Sequence, residues 1–214
     1  MQAGVSSSDM ITTVSPTYAH EIQTAEGGFG MDGLLRARAD VIKRILNGAD
    51  LRQWNPEIDK KIPATYSARN MAGKATCKEE LQKKMGLEVN PDIPVIGIVT
   101  RLVDQKGIAE IFAPTYGSIY QICTDMKVQF AILGSGESWC ENEICALQSK
   151  LPNLRAYIGY DDALSHLIEA GSDFFLMPSK YEPCGLNQIY SMLYGTLPIV
   201  RKTGGLADTV DNYN

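Results

Sequence analysis

Five short apolar runs recur along the second half of the chain, at Val95 to Val99, Phe130 to Leu133, Ala156 to Ile158, Phe174 to Met177 and Leu197 to Val200. Between them lie longer segments of helical character, Ile108 to Cys123, Cys140 to Lys150, Leu164 to Ala170 and Leu186 to Tyr194. Runs of three to five apolar residues are of strand length, and the segments that separate them are long enough to cross back over a sheet. This alternation predicts an α/β fold: a parallel, Rossmann-like sheet with right-handed crossovers and helices on both faces.

The first ninety residues read differently. Ile11 to Val14 is a β-type run that stops at Ser15 and Pro16, and Tyr18 to Thr24 is a plausible helix with Pro16 near its first turn. Glycines at 27, 28, 30 and 33 predict a loop, and Leu34 to Leu46 holds two short stretches around arginines. This beginning supplies one strand with no partner strand before it. Trp54 to Pro63 is loop-like. Lys74 to Met85 has the composition of an exposed helix, with Gly86 placed as its C-cap.

Composition narrows the function classes. The net charge of −5 over 214 residues argues against general nucleic-acid binding. No apolar run approaches the ~18 residues needed to cross a bilayer, so no membrane partner is expected. The five cysteines, Cys77, Cys123, Cys140, Cys145 and Cys184, are odd in number and irregularly spaced, with no C-x-x-C, which points to a reducing compartment. With only His20 and His166 present, a histidine-built metal site is not expected.

The chemistry gathers at strand ends. TRLVDQKG follows Val95 to Val99 and puts Arg101 and Lys106 on either side of one strand-to-helix loop, where a guanidinium fork and an ammonium can both reach an anion. Taken alone, the two cations could equally be solvated surface charges. The next strand run leads into Gly134, Ser135, Gly136 and Glu137, with Ser138 and Glu141 in capping-box spacing. A tight turn and a nucleotide-lining loop are both open there, and the third glycine of a dinucleotide fingerprint is absent. Tyr160 follows the run Ala156 to Ile158. Glu182, Pro183, Cys184 and Gly185 follow the run that ends at Met177, and Thr203, Gly204 and Gly205 follow Val200. Glycine-rich loops opening helices can bring backbone N–H groups against phosphate. Glu182 reads either as a simple helix cap or as an acceptor of sugar hydroxyls, Cys184 as a packing thiol, and His20 and His166 as packing residues.

The stretch EPCGLNQ, followed by YGTLPIVRKTGGLADTV, resembles the signature of bacterial glycogen synthases and plant starch synthases, retaining glucosyltransferases of the GT-B type. The resemblance implies that residues 47–214 are the C-terminal, nucleotide-sugar-binding domain, truncated at its C-terminal end. Residues 1–46 would be the tail of the N-terminal domain and the crossing between domains, the rest of that domain being missing. It further implies transfer of glucose from ADP-glucose to the non-reducing end of an α-1,4-glucan, without cofactor or metal, in a bacterial cytoplasm or a plastid. Arg101, Lys106 and Gly107 match the family's R-x(4)-K-G pattern for the donor diphosphate, and Glu182 would contact the transferred glucose. Cys184, Gly185, Leu186, Thr203, Gly204 and Gly205 would line the donor site, with Tyr160 near the adenine. Where related GT-B enzymes carry a second glutamate eight positions on, this chain has Tyr190, as do glycogen synthase-like sequences. A stand-alone nucleotide- or glucan-binding module and a transferase using another sugar nucleotide are the rival readings.

Overall fold

The computed structural model describes residues 2–213. Its centre is a five-stranded, wholly parallel sheet in the order β5-β4-β3-β6-β7. The strands are β3 (Val95–Val99), β4 (Gln129–Gly134), β5 (Leu154–Ile158), β6 (Phe174–Met177) and β7 (Leu197–Val200). Each predicted run lies within one of them, and three have the expected bounds. Alternation along β4 divides the core: Phe130 and Ile132 point to one side, Ala131 and Leu133 to the other. On one face α4 (Ala72–Met85) and α8 (Asp162–Gly171) cover the sheet with Leu81, Leu164 and Ile168. On the other, Phe112, Ile119, Cys140 and Ile144 seal it from α5 (Ile108–Phe112), α6 (Ile119–Asp125) and α7 (Ser138–Lys150). Over the central strands both sheet faces are therefore withdrawn from water, whereas edge strand β7 leaves Leu197 and Ile199 exposed. Pro198 sits in edge strand β7, where a missing ladder donor costs least.

Three expectations change. The single helix expected over Ile108 to Cys123 is two: α5 ends at Phe112, and Pro114 and Gly117 fill the break. Gly117 folds back so that its N–H donates to the Ala113 carbonyl, which leaves no room for a side chain. The expected strand at Ile11 does have a partner. β1 (Ile11–Thr13) pairs in parallel with β2 (Ile42–Arg44), which follows it in sequence. Around this pair lie α1 (Gln2–Ser7), which the sequence did not announce, α2 (Pro16–Glu21) and α3 (Asp32–Ala37), closing on Ala19, Leu35 and Ile42. Finally, Ser138 does not cap α7. Glu137 holds that position, and the Gly136 N–H donates to Glu141 Oε1 at 2.8 Å.

Strand order reverses beside β3. From β3 the chain steps outward to β4 and β5, then returns to β6 on the other side and continues to β7. The loops after β3 and β6 consequently diverge to opposite faces and leave a crevice at the carboxyl end of the sheet, where ligands bind in folds of this kind. The N-terminal layer closes over the same end: α2 packs on α10 (Gly204–Thr209), with the Thr17 N–H and hydroxyl donating to the Asp208 carboxylate at 2.9 and 2.6 Å.

Candidate active site in the crevice between β3 and β6

The crevice holds a cleft of about 490 Å³. Its walls are the end of β3 with Arg101, Gln105 and Lys106, and the loop after β6 with Ser179, Glu182, Cys184, Gly185 and Leu186. Two hydrogen bonds fix one wall to the other. The Lys180 N–H donates to the Gln105 carbonyl at 2.9 Å, and Asn187 Nδ2 donates to the Val99 carbonyl at 2.8 Å.

Lys106 reaches the cleft because the backbone turns sharply beneath it. Asp104–Lys106 forms one 3₁₀ turn, and Gly107 leaves it at φ 68°, a left-handed conformation that costs glycine little. A Cβ at Gly107 would stand 2.0 Å from the Pro178 carbonyl oxygen, so this glycine also permits the two strand-end loops to touch. Its role is to aim Lys106, and the structure gives it no direct place in the cleft lining. The loop after β4 braces the same turn. Leu102 and Gly136 form a parallel bridge, the Asp104 N–H donates to Glu137 Oε1 at 3.2 Å, and a Cβ on Gly136 would meet the Leu102 carbonyl at 2.2 Å. Gly134–Glu137 forms a tight turn and does not line this cleft.

At the base of the cleft Lys106 Nζ lies 2.5 Å from Glu182 Oε2, and the Ser179 hydroxyl donates to the same oxygen at 3.0 Å. The Glu182 side chain is 8% exposed and that of Lys106 17%, so the pair is largely desolvated and each charge depends on the other. Glu182 Oε1 has no partner among the described residues and remains available to a donor. Arg101 is exposed at the rim, steadied by a 3.2 Å bond to Gln105 Oε1. Beyond Glu182 the chain passes through Gly185 at φ 74° into α9 (Asn187–Leu193). Among the described residues, the N–H groups of Cys184, Gly185 and Leu186 find no internal acceptor beside this cleft. Unspent amides, a guanidinium, an ammonium and a carboxylate oxygen thus converge, a donor set suited to a phosphorylated sugar.

Not every expected residue joins them. The Gly204 N–H and the Thr203 hydroxyl donate to Glu21 Oε1 at 2.8 and 2.9 Å, and the Gly205 N–H donates to the Glu182 carbonyl at 2.9 Å. In this structure the start of α10 is held by a carboxylate from α2, and Gly205 ties it to the backbone of Glu182. Tyr160 stands 85% exposed after edge strand β5, with β4 between that strand and β3, and does not line the cleft. Cys184 is 3% exposed and packs against Gly205, as a structural thiol does.

A second polar cluster lies behind α9 and was not visible in the sequence. His166 Nδ1 is 2.7 Å from Asp59 Oδ2, and the Tyr194 hydroxyl donates to the same oxygen at 2.5 Å. Lys61 Nζ is 3.2 Å from His166 Nε2. An ammonium offers no lone pair, so Nε2 must accept and Nδ1 must carry the proton given to Asp59. Trp54 covers the imidazole, stacked at 3.8 Å on His166 and at 4.0 Å on Tyr190. His166 is thus a packing residue, as expected, and Tyr190 serves the same stack. Among the described residues no group of three or more His, Cys, Asp or Glu is placed to hold a metal ion, and no helix is long and apolar enough to cross a membrane.

The parallel sheet with helices on both faces matches that of glycosyltransferases of the GT-B type. The family model described as glycosyl transferases group 1 matches residues 79–214, and the one described as starch synthase catalytic domain matches residues 1–37. The chain belongs to the glycosyl transferases group 1 family. Within it, the chain is 61% identical over 214 residues to the glycogen synthase of Treponema denticola and 53% identical over 212 residues to that of Myxococcus xanthus. Those matches take in 100% and 99% of this chain but 44% and 43% of the relatives, so the chain spans less than half of their length. The catalytic domain of starch synthase IV from Arabidopsis thaliana, solved bound to ADP and acarbose, superposes with a TM-score of 0.91 at 40% identity, covering 99% of this chain and 43% of that one.

Proposed function

We propose that this chain forms the donor-side wall of a glucosyltransferase site of the glycogen synthase type, which takes glucose from ADP-glucose and passes it to an α-1,4-glucan with retention. The observation that carries the reading is the desolvated Lys106–Glu182 pair at the base of the crevice, with Arg101 at its rim and the free amides of Cys184 to Leu186 alongside. In the transfer, the bond between the glucose C1 and the diphosphate oxygen breaks, and that oxygen gains negative charge. Arg101 and Lys106 stabilise this charge in a site where water is partly excluded, which strengthens the interaction over its value in bulk solvent. Glu182 Oε1 accepts from sugar hydroxyls and orients the ring, while Ser179 holds Oε2. Lys106 is shared between Glu182 and the departing phosphate, so donor binding loosens a bond already present. The relatives extend well beyond the length this chain spans, and the remainder of the acceptor path is assigned to that portion. The bacterial relatives favour glycogen over starch and a bacterial cytoplasm over a plastid.

Titration of the chain with ADP by calorimetry tests the reading. Binding that disappears in the double variant Arg101→Ala/Lys106→Ala supports it. Wild-type ADP affinity in that variant defeats it.

A further inference from the structure

We propose that the hollow on the opposite side of the Ser179–Glu182 segment is a glucan-holding subsite, in which a pyranose ring of the acceptor chain rests on Phe29 and Tyr181. The inference rests on the glucosyltransferase reading above and names where its polymeric substrate is gripped.

Along Ser179–Glu182 the side chains part: Ser179 and Glu182 line the donor cleft, whereas Lys180 and Tyr181 line a separate hollow of about 370 Å³. One strip of backbone is therefore the common wall of both spaces, and a chain lying in the hollow is beside the reacting sugar. Opposite Tyr181 stands Phe29, 68% exposed, with its ring edge-on to Tyr181 at 5.3 Å. Phe29 is the one non-glycine residue at positive φ among those described, at 48°. A large apolar side chain held in water on an unfavourable backbone has no folding rationale, and such strain concentrates at binding sites. The loop is nevertheless firmly based: a Cβ at Gly27 would lie 2.3 Å from the Glu21 carbonyl, and one at Gly28 would lie 2.5 Å from Asp32. The ring is presented, not loose.

The chemistry of the lining selects the occupant. Tyr18, Phe29 and Tyr181 offer aromatic faces and edges, and the apolar C–H face of a hexose stacks on such rings. Around them Glu26 opposes Arg201 and Lys202, while one Glu21 oxygen already accepts from Thr203 and Gly204 and Lys180 is paired with Asp104 and Glu110, so the hollow carries both signs. The carboxylates beside the cations disfavour an acidic polymer, and charges of both signs disfavour an apolar segment. A neutral polymer rich in hydroxyl groups satisfies both conditions, with carboxylates accepting from its hydroxyls and ammonium or guanidinium groups donating to them.

The test is calorimetric titration of the chain with maltoheptaose, with ADP titrated in parallel. Phe29→Ala removes the platform from an exposed position, and Phe29→Gly removes it while suiting the positive φ. Both are expected to weaken maltoheptaose binding about fivefold or more, with Phe29→Trp near wild type and ADP affinity unchanged. Absence of maltoheptaose binding by the wild-type chain overturns the proposal, as does full retention of it in the Ala and Gly variants. Weakening by Lys202→Ala but not by Phe29→Ala would mark the hollow as an anion site and overturn it equally. Loss of ADP binding with maltoheptaose binding intact would strike the donor reading and leave this subsite standing.

Discussion

Two buried ionisable clusters flank α9, and they have much in common. Lys106–Glu182–Ser179 and His166–Asp59–Tyr194 each gather short hydrogen bonds on one carboxylate oxygen. They differ in what is left over. Glu182 keeps an unpartnered oxygen toward an open cleft with a guanidinium and free amides near it. The second Asp59 oxygen accepts from the Lys61 N–H at 2.8 Å, and Trp54 closes its histidine off by stacking. Burial and charge alone do not mark a site. Unspent donors and acceptors with access to solvent do.

The comparison can be broken by exchanging which property each cluster controls. The largest effect is expected from Asp59→Ala, which strands His166 and the Tyr194 hydroxyl in the core and should lower unfolding free energy by about 3–5 kcal/mol in urea. ADP affinity, measured where the variant is folded, should stay within about twofold of wild type. A large loss of ADP binding there would merge the two clusters into one site. Next, Arg101→Ala/Lys106→Ala removes two charge-assisted contacts and is expected to cost about 3 kcal/mol of ADP binding, or roughly a hundredfold in Kd.

A smaller effect sharpens the structural side. Lys74 donates to the carbonyls of Ala170 and Tyr194 and to the Thr196 hydroxyl, so it ties α4 to the same helix end that carries Tyr194. Burial lowers its pKa from 10.5 to about 8 in the folded chain. Between pH 8 and 10.5 the unfolded chain then binds the extra proton, so stability gains with rising pH through that window. Wild type minus Lys74→Met, followed by denaturation from pH 7 to 10, should rise by on the order of 2 kcal/mol. A flat difference would show the ammonium to be as comfortable inside as in water. The smallest effect is Ser179→Ala, expected to cost about 1 kcal/mol of stability by leaving Glu182 Oε2 with Lys106 alone.

The sheet was legible because its strands are short apolar runs with helices between them, and that periodicity survives any tertiary detail. The Arg101, Lys106 and Glu182 positions were legible as strand-end loops, since the carboxyl ends of neighbouring parallel strands must meet. What escaped was set by contacts distant in sequence. Asp59 and His166 are 107 positions apart, and Glu21 reaches Gly204 across 183. Nothing local announces such pairs. The glycines at 204 and 205 looked like a phosphate turn, but the Gly204 N–H is taken by a carboxylate from α2 and the Gly205 N–H by the Glu182 carbonyl. α1 was missed for the opposite reason: QAGVSS has no apolar period to detect, and no residue of that helix is buried.

The clasp of α2 on α10 carries a cost in time. Thr17 and Asp208 are 191 positions apart, so the early layer gains its docking partner only after that much further chain has been made. At ribosomal speeds of about 5–20 residues per second, Thr17 waits roughly 10–40 s for the Asp208 carboxylate that receives its N–H and hydroxyl. Joining these ends late also makes the contact order high, and folding correspondingly slow. A chaperone that shields α2 during synthesis would find its apolar face vacant for that whole interval.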